Sequence, residues 1–140
     1  MKIFIASDHA GYEAKQNLIF ELQQKFDITD LGTHSLESVH YSSYGLELAK
    51  QVVDNKSFGI ALCGSGIGIS IAVNRVKGIR GALCRDVEDA KMSKLHNNAN
   101  ILCFGARRNT LSEIKDMIQV WMETEFEGGR HQTRIDLLDK

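Results

Sequence analysis

Five short apolar runs recur along this chain: KIFIA at 2–6, FDITDLG at 26–32, FGIALC at 58–63, IRGALC at 79–84 and NILCFG at 100–105. Each has strand length, is bounded by Gly, Asp, Asn or charge, and gives way to a longer segment with helical spacing. Ala14, Leu18 and Leu22 form one helical stripe. Leu111, Ile114, Ile118 and Trp121 form another, behind a capping-box pattern from Thr110 to Glu113. Strand and helix therefore alternate five times, the sequence form of repeated βαβ units. The expected fold class is α/β: a three-layer, Rossmann-like, five-stranded parallel sheet with flavodoxin-like strand order and helices on both faces. No linker, repeat or low-complexity tract interrupts the pattern. A length of 140 residues with 43% hydrophobic content suits one core, so residues 1–140 are expected to form one domain.

Lys and Arg number 17 against 18 Asp and Glu, so no global field draws the chain to nucleic acid or to an anionic membrane. Any anion site must be local. The opening MKIFIASDHAG has too short an apolar run for a secretory signal, and no apolar stretch reaches the length of a membrane span. A cytoplasmic protein is expected. Cys63, Cys84 and Cys103 cannot all pair within one chain, and no C-x-x-C spacing points to a structural metal. Cys84 and Cys103 lie within apolar runs and read as small buried hydrophobes.

In an open parallel sheet, ligands bind beyond the carboxyl ends of the strands, where loops and helix N-termini meet. Those ends carry, in order, Ser7-Asp8-His9, the polar stretch around His40 and Tyr41, Cys63 with its glycines, Arg85-Asp86, and Gly105-Ala106-Arg107-Arg108. An acid, a histidine, a thiol and guanidinium groups are thus expected to face one rim.

The loop after the third strand reads LCGSGIGISIAVNR. A dinucleotide fingerprint needs its glycines directly after the opening strand, and a cysteine phosphatase loop needs Arg where this chain has Ile69. No G-K-[ST] follows to hold a nucleoside triphosphate. Gly64, Gly66 and Gly68 lack Cβ atoms, so their N–H groups can approach a ligand closely at the start of a helix. Such a loop can stabilise an oxyanion and favour the thiolate of Cys63. It can equally be a tight turn beside an inert thiol, and the segment alone leaves both open.

Taken together, SDHAG at 7–11, LCGSGIGISIAVNR at 62–75, HNNANILCFGAR at 96–107 and EGGRHQTR at 127–134 resemble the B-type ribose-5-phosphate isomerases, the family that includes the galactose-6-phosphate isomerase subunits. The likeness spans almost the whole chain. It implies an aldose-ketose isomerase that interconverts ribose 5-phosphate and ribulose 5-phosphate without cofactor or metal. Cys63 matches the base, Ser65 stands beside the amides that hold the enediolate oxygen, and His96 matches the group that helps open the ring. Asn97 is next to His96, and Asp8 is its implied partner. His9, Arg107, Arg130 and Arg134 match a phosphate clamp, while Tyr41, Gly64, Gly66, Ile67 and Gly68 would line the sugar. The galactose-6-phosphate enzyme divides the cysteine loop and the GGRHQ segment between two chains, whereas this chain has both. That favours a homodimer or a dimer of dimers, with sites where subunits meet.

Each of these residues also has a plainer reading. Asp8 suits a helix N-cap, His96 a helix C-terminus, and Arg130 with Arg134 a solvated helical face. His131 and Arg108 are left outside the expected site. Where relatives read D-Y-P-x-Y, this chain has HYSSYG, with His40 for Asp and Ser42 for Pro. The change bears on substrate length, so a six-carbon aldose phosphate such as allose 6-phosphate or galactose 6-phosphate is the alternative. A non-catalytic domain that binds a phosphorylated metabolite is the alternative of a different class. A metal-dependent isomerase ranks below both, because no His and carboxylate cluster is visible at ligand spacing in the sequence.

Overall fold

The computed structural model describes residues 1–140. Five strands alternate with helices: β1 (Lys2–Ser7), α1 (Tyr12–Leu22), β2 (Asp27–Asp30), α2 (Tyr41–Asn55), β3 (Phe58–Cys63), α3 (Ile67–Val73), β4 (Gly81–Leu83), α4 (Val87–Asn97), β5 (Ile101–Gly105) and α5 (Leu111–Glu123), with a short α6 (Arg130–Asp136) at the end. All strand pairs are parallel. The sheet order is β2-β1-β3-β5-β4. It follows flavodoxin-like order through β2-β1-β3 and then exchanges the last two strands, a correction to that detail of the expected fold. The three-residue β4 is thereby an edge strand, and the longer, wholly buried β5 lies inside.

Alternation along each strand explains why both faces are covered. Ile3, Ile5, Ile60, Leu62, Leu102 and Phe104 point to one side, where Leu18 of α1 and Ile114, Met117, Ile118 and Trp121 of α5 meet them. Phe4, Ala6, Ala61, Cys63, Ile101 and Cys103 point to the other, under Leu48 and Val52 of α2 and Ile69 and Val73 of α3. Trp121 is fully buried; its indole N–H donates to the Ala99 carbonyl at 3.0 Å and its ring meets Phe58 edge-on. The expected stripe of α5 is therefore its core face, and the Thr110–Glu113 capping box is formed.

Two charged groups inside the core were not anticipated. Lys15 of α1 is fully buried and donates to both carboxylate oxygens of Asp30 at 2.8 Å. Asp30 also accepts the Gly32 N–H, and Gly32 in turn accepts from Ser7 N–H. The pair thus braces the chain beside the exit of β1. Lys94 of α4 lies over the rings of Phe58 and Trp121 and donates to the Trp121 carbonyl; burial pushes its pKa below the ordinary lysine value. No helix is long and apolar enough to cross a membrane.

Candidate active site

At the exit of β3 the chain turns sharply to enter α3. Gly66 makes the turn with φ +80°, and a methyl group there would lie 2.8 Å from the Gly105 nitrogen. Only glycine allows the loop to press against the end of β5. Two further bonds fasten it: Ala106 N–H to the Cys63 carbonyl at 2.9 Å and Arg107 N–H to the Gly64 carbonyl at 3.0 Å.

This geometry decides what surrounds the thiol. Cys63 is buried, and the Gly66 N–H donates to its sulfur at 3.1 Å. Ile67 N–H is used internally, donating to Ser65 Oγ at 3.1 Å. The N–H groups of Gly64, Ser65 and Gly68 find no acceptor in the chain. The loop that follows the sulfur therefore carries three main-chain donors unpaired within the chain. The Tyr41 ring covers Gly68, and the Arg107 guanidinium lies against Gly64.

From the exit of β1, Asp8 Oδ1 accepts from Ala10 N–H at 2.9 Å and Gly11 N–H at 3.1 Å. Asp8 therefore shapes the loop, while Gly11, without a side-chain bond, occupies the N-cap of α1. Val39 N–H donates to His9 Nδ1, which leaves His9 Nε2 to carry the ring proton. Cys63, Ser65, Gly64, Gly66, Ile67, Gly68, Asp8, His9, Tyr41 and Arg107 thus all belong to strand exits or to the helix starts that follow them. His40 and Ser42 are not in a free loop: His40 is the N-cap of α2 and Ser42 lies in its first turn.

His96 and Asn97 are elsewhere. They end α4, which runs back from the exit of β4 to the entrance of β5. Register pairs Cys63 with Gly105 and Gly59 with Ile101, so the two edges are separated by about 13 Å along the sheet. Within one chain His96 therefore lies at the edge opposite Asp8. Arg130 and Arg134 lie on α6, which packs on α4, and so stand apart from His9 and Arg107. A cleft of about 290 Å³ at this second edge is lined by His96, Asn97, His131, Arg134, Ile135 and Leu138.

Two residues of this cluster escaped the sequence reading. His131 is buried and stacks on His96, with ring centroids 4.3 Å apart and planes 15° from parallel. Glu127 reaches both, its carboxylate oxygens 3.8 Å from His96 Nε2 and 3.7 Å from His131 Nε2. Burial, then the neighbouring Arg130 and His96, hold the His131 pKa below the ordinary histidine value. The ligand atoms of His96, Glu127 and His131 lie within 4.8 Å of one another, so a His and carboxylate cluster does exist in space. Its rings nevertheless oppose a shared ion. Imidazole lone pairs lie in the ring plane, and two nearly parallel planes offer no common point at bonding distance.

A parallel α/β sheet that sets a thiol, unpaired amides and basic side chains at its edges has the make-up of an enzyme for a small anionic molecule. The chain belongs to the ribose/galactose isomerase family, whose pattern matches residues 3–138, and is a sugar-phosphate isomerase of the B type. It is 36% identical to ribose-5-phosphate isomerase B of Escherichia coli over 139 residues, covering 98% of this chain and 93% of that protein. The solved structure of ribose-5-phosphate isomerase B from Clostridium thermocellum superposes with a TM-score of 0.95 at 45% identity, over 97% of this chain and 93% of that one. The enzyme from Mycoplasma genitalium, solved with bound ribulose-5-phosphate, gives 0.93 at 38% identity, over 96% and 91%.

Proposed function

We propose that residues 1–140 act as one domain that interconverts ribose 5-phosphate and ribulose 5-phosphate. The observation that carries this is the Cys63 loop, where the Gly66 N–H meets the sulfur and the amides of Gly64, Ser65 and Gly68 are free. In the proposed reaction His96, beside Asn97, opens the furanose. Cys63 takes the C2 proton of the open aldose and delivers it to C1, the hydroxyl proton passes from O2 to O1, and the free amides hold the enediolate oxygen. Arginines grip the phosphate and so fix the reacting carbons.

The two edges described above are too far apart to share one substrate within a chain. We therefore place each site between two copies: one supplies Cys63, Asp8, His9 and Arg107, and the other His96, Asn97, Arg130 and Arg134. Exposed Ile67 and Ile71 on α3 and Leu137 and Leu138 after α6 give a second copy apolar surface to cover. The names of the relatives support the five-carbon substrate. The family description also includes galactose, so a six-carbon aldose phosphate is the second reading.

Turnover of ribose 5-phosphate, allose 6-phosphate and galactose 6-phosphate by one preparation, with chelator present, tests the proposal. Interconversion of the five-carbon pair that Cys63→Ala abolishes is expected. Tight binding without turnover would instead identify a metabolite-binding domain, and undiminished turnover by Cys63→Ala would remove the assigned base.

A further inference from the structure

Beyond the groups expected to touch substrate, the second edge holds an arrangement around His96 that comes from two separated pieces of chain, the end of α4 and residues 127–131. We infer that Glu127 and His131 are positioning residues for His96: they fix its imidazole and stabilise the positive charge it carries after taking up a proton. The inference rests on the reading above, in which His96 opens the sugar ring.

The arrangement is anchored at the main chain. Glu127 N–H donates to the Leu95 carbonyl at 3.0 Å, so the segment after α5 is tied to the residue preceding His96. From there the carboxylate divides its oxygens. Oε1 lies 3.5 Å from Arg130 Nη1 and 3.7 Å from His131 Nε2, and Oε2 lies 3.8 Å from His96 Nε2. His131 is buried, yet its Nε2 has no hydrogen-bond partner. A core histidine with a purely structural role would have that atom satisfied.

Two stacked imidazoles cannot comfortably both be charged. Burial and Arg130 disfavour the charge on His131, and of the two rings that line the cleft His96 is the more exposed. The stacked His131 ring provides a flat surface that limits rotation of His96, and Glu127 provides a countercharge beside its Nε2. Arg130 competes only for the other carboxylate oxygen, leaving Oε2 to His96.

The test separates ring opening from proton transfer. Ribose 5-phosphate enters as a closed ring, whereas ribulose 5-phosphate is open and exchanges its carbon-bound hydrogen with deuterated water without needing His96. Glu127→Gln is expected to lower kcat on ribose 5-phosphate at least about tenfold with little change in KM. Deuterium exchange into ribulose 5-phosphate should stay within about twofold of wild type, because Cys63 is untouched. His131→Asn should act in the same direction, and His131→Phe, which keeps a flat ring, should recover part of the loss. If both reactions fall together, or neither falls, the inference is overturned. The ring nitrogen signals of His96 in nuclear magnetic resonance read the same contact without substrate. They should move in Glu127→Gln, and unmoved signals would overturn the inference whether or not the enzyme accepts ribose 5-phosphate.

Discussion

The main-chain N–H of Gly66 points at the sulfur of Cys63 from 3.1 Å, across a turn that holds Gly66 at φ +80°. The donor is placed by backbone conformation, so the environment of the thiol depends on a residue that has no side chain. A methyl group at Gly66 would meet the Leu83 side chain at 2.6 Å and the backbone of Phe104 and Gly105 at 2.8 Å. Backbone atoms cannot step aside as a flexible side chain can. Gly66→Ala should therefore cost about 2 to 3 kcal/mol in urea unfolding. It should also depress turnover by more than the unfolded fraction accounts for. Wild-type stability in this variant would mean that the turn is less constrained than its packing implies.

The proposed pairing of the two edges across copies predicts complementation. Cys63→Ala and His96→Gln should each be inactive alone. If dimers exchange subunits freely, an equal mixture should regain about a quarter of wild-type activity, because half of the dimers carry one intact site. A site contained in one chain would give no recovery.

The three thiols should behave differently toward alkali. Burial, reinforced by Asp89, pushes the Cys84 thiol from an ordinary 9.0 up to about 12, and burial raises that of Cys103 as well. The folded state keeps these protons where the unfolded chain loses them. The associated stability is thus complete below about pH 9 and is lost as pH climbs toward 12, on the order of 1 kcal/mol per pH unit for each thiol. Urea midpoints measured from pH 8 to 10.5 should fall less steeply in Cys84→Ala than in wild type. Iodoacetamide at pH 8, followed by mass spectrometry, should label Cys63 ahead of the other two.

Lys15→Met tests the brace beneath the rim. Lys15 is fully buried and Asp30 only partly exposed, so removing the amine strands a carboxylate that already bonds the Gly32 N–H. A loss of about 3 kcal/mol is expected in thermal or urea unfolding. A much smaller loss would show that water reaches Asp30 freely.

Much of the scaffold is legible along the chain because its causes are local. Alternation in IFIA decides that Ile3 and Ile5 leave β1 on one face and Phe4 and Ala6 on the other, and the spacing of Ile114, Ile118 and Trp121 decides the buried side of α5. The Cys63 loop is legible for the same reason: its thiol, its glycines and the turn that joins them lie within six residues. Burial of Lys15 is not legible, because its partner Asp30 is brought near only when β2 pairs with β1.

By itself, then, the sequence determined the elements, their parallel class, both core faces and the thiol with its flanking amides. Tertiary structure alone decided that β5 lies inside β4, that His96 stands at the edge opposite Cys63, and that Glu127 and His131 gather around it. The physical reason is range. Periodicity and turn chemistry act between neighbours in the chain, whereas the order of strands and the meeting of α4 with α6 follow from which apolar faces dock most completely, and no short stretch of sequence encodes that comparison.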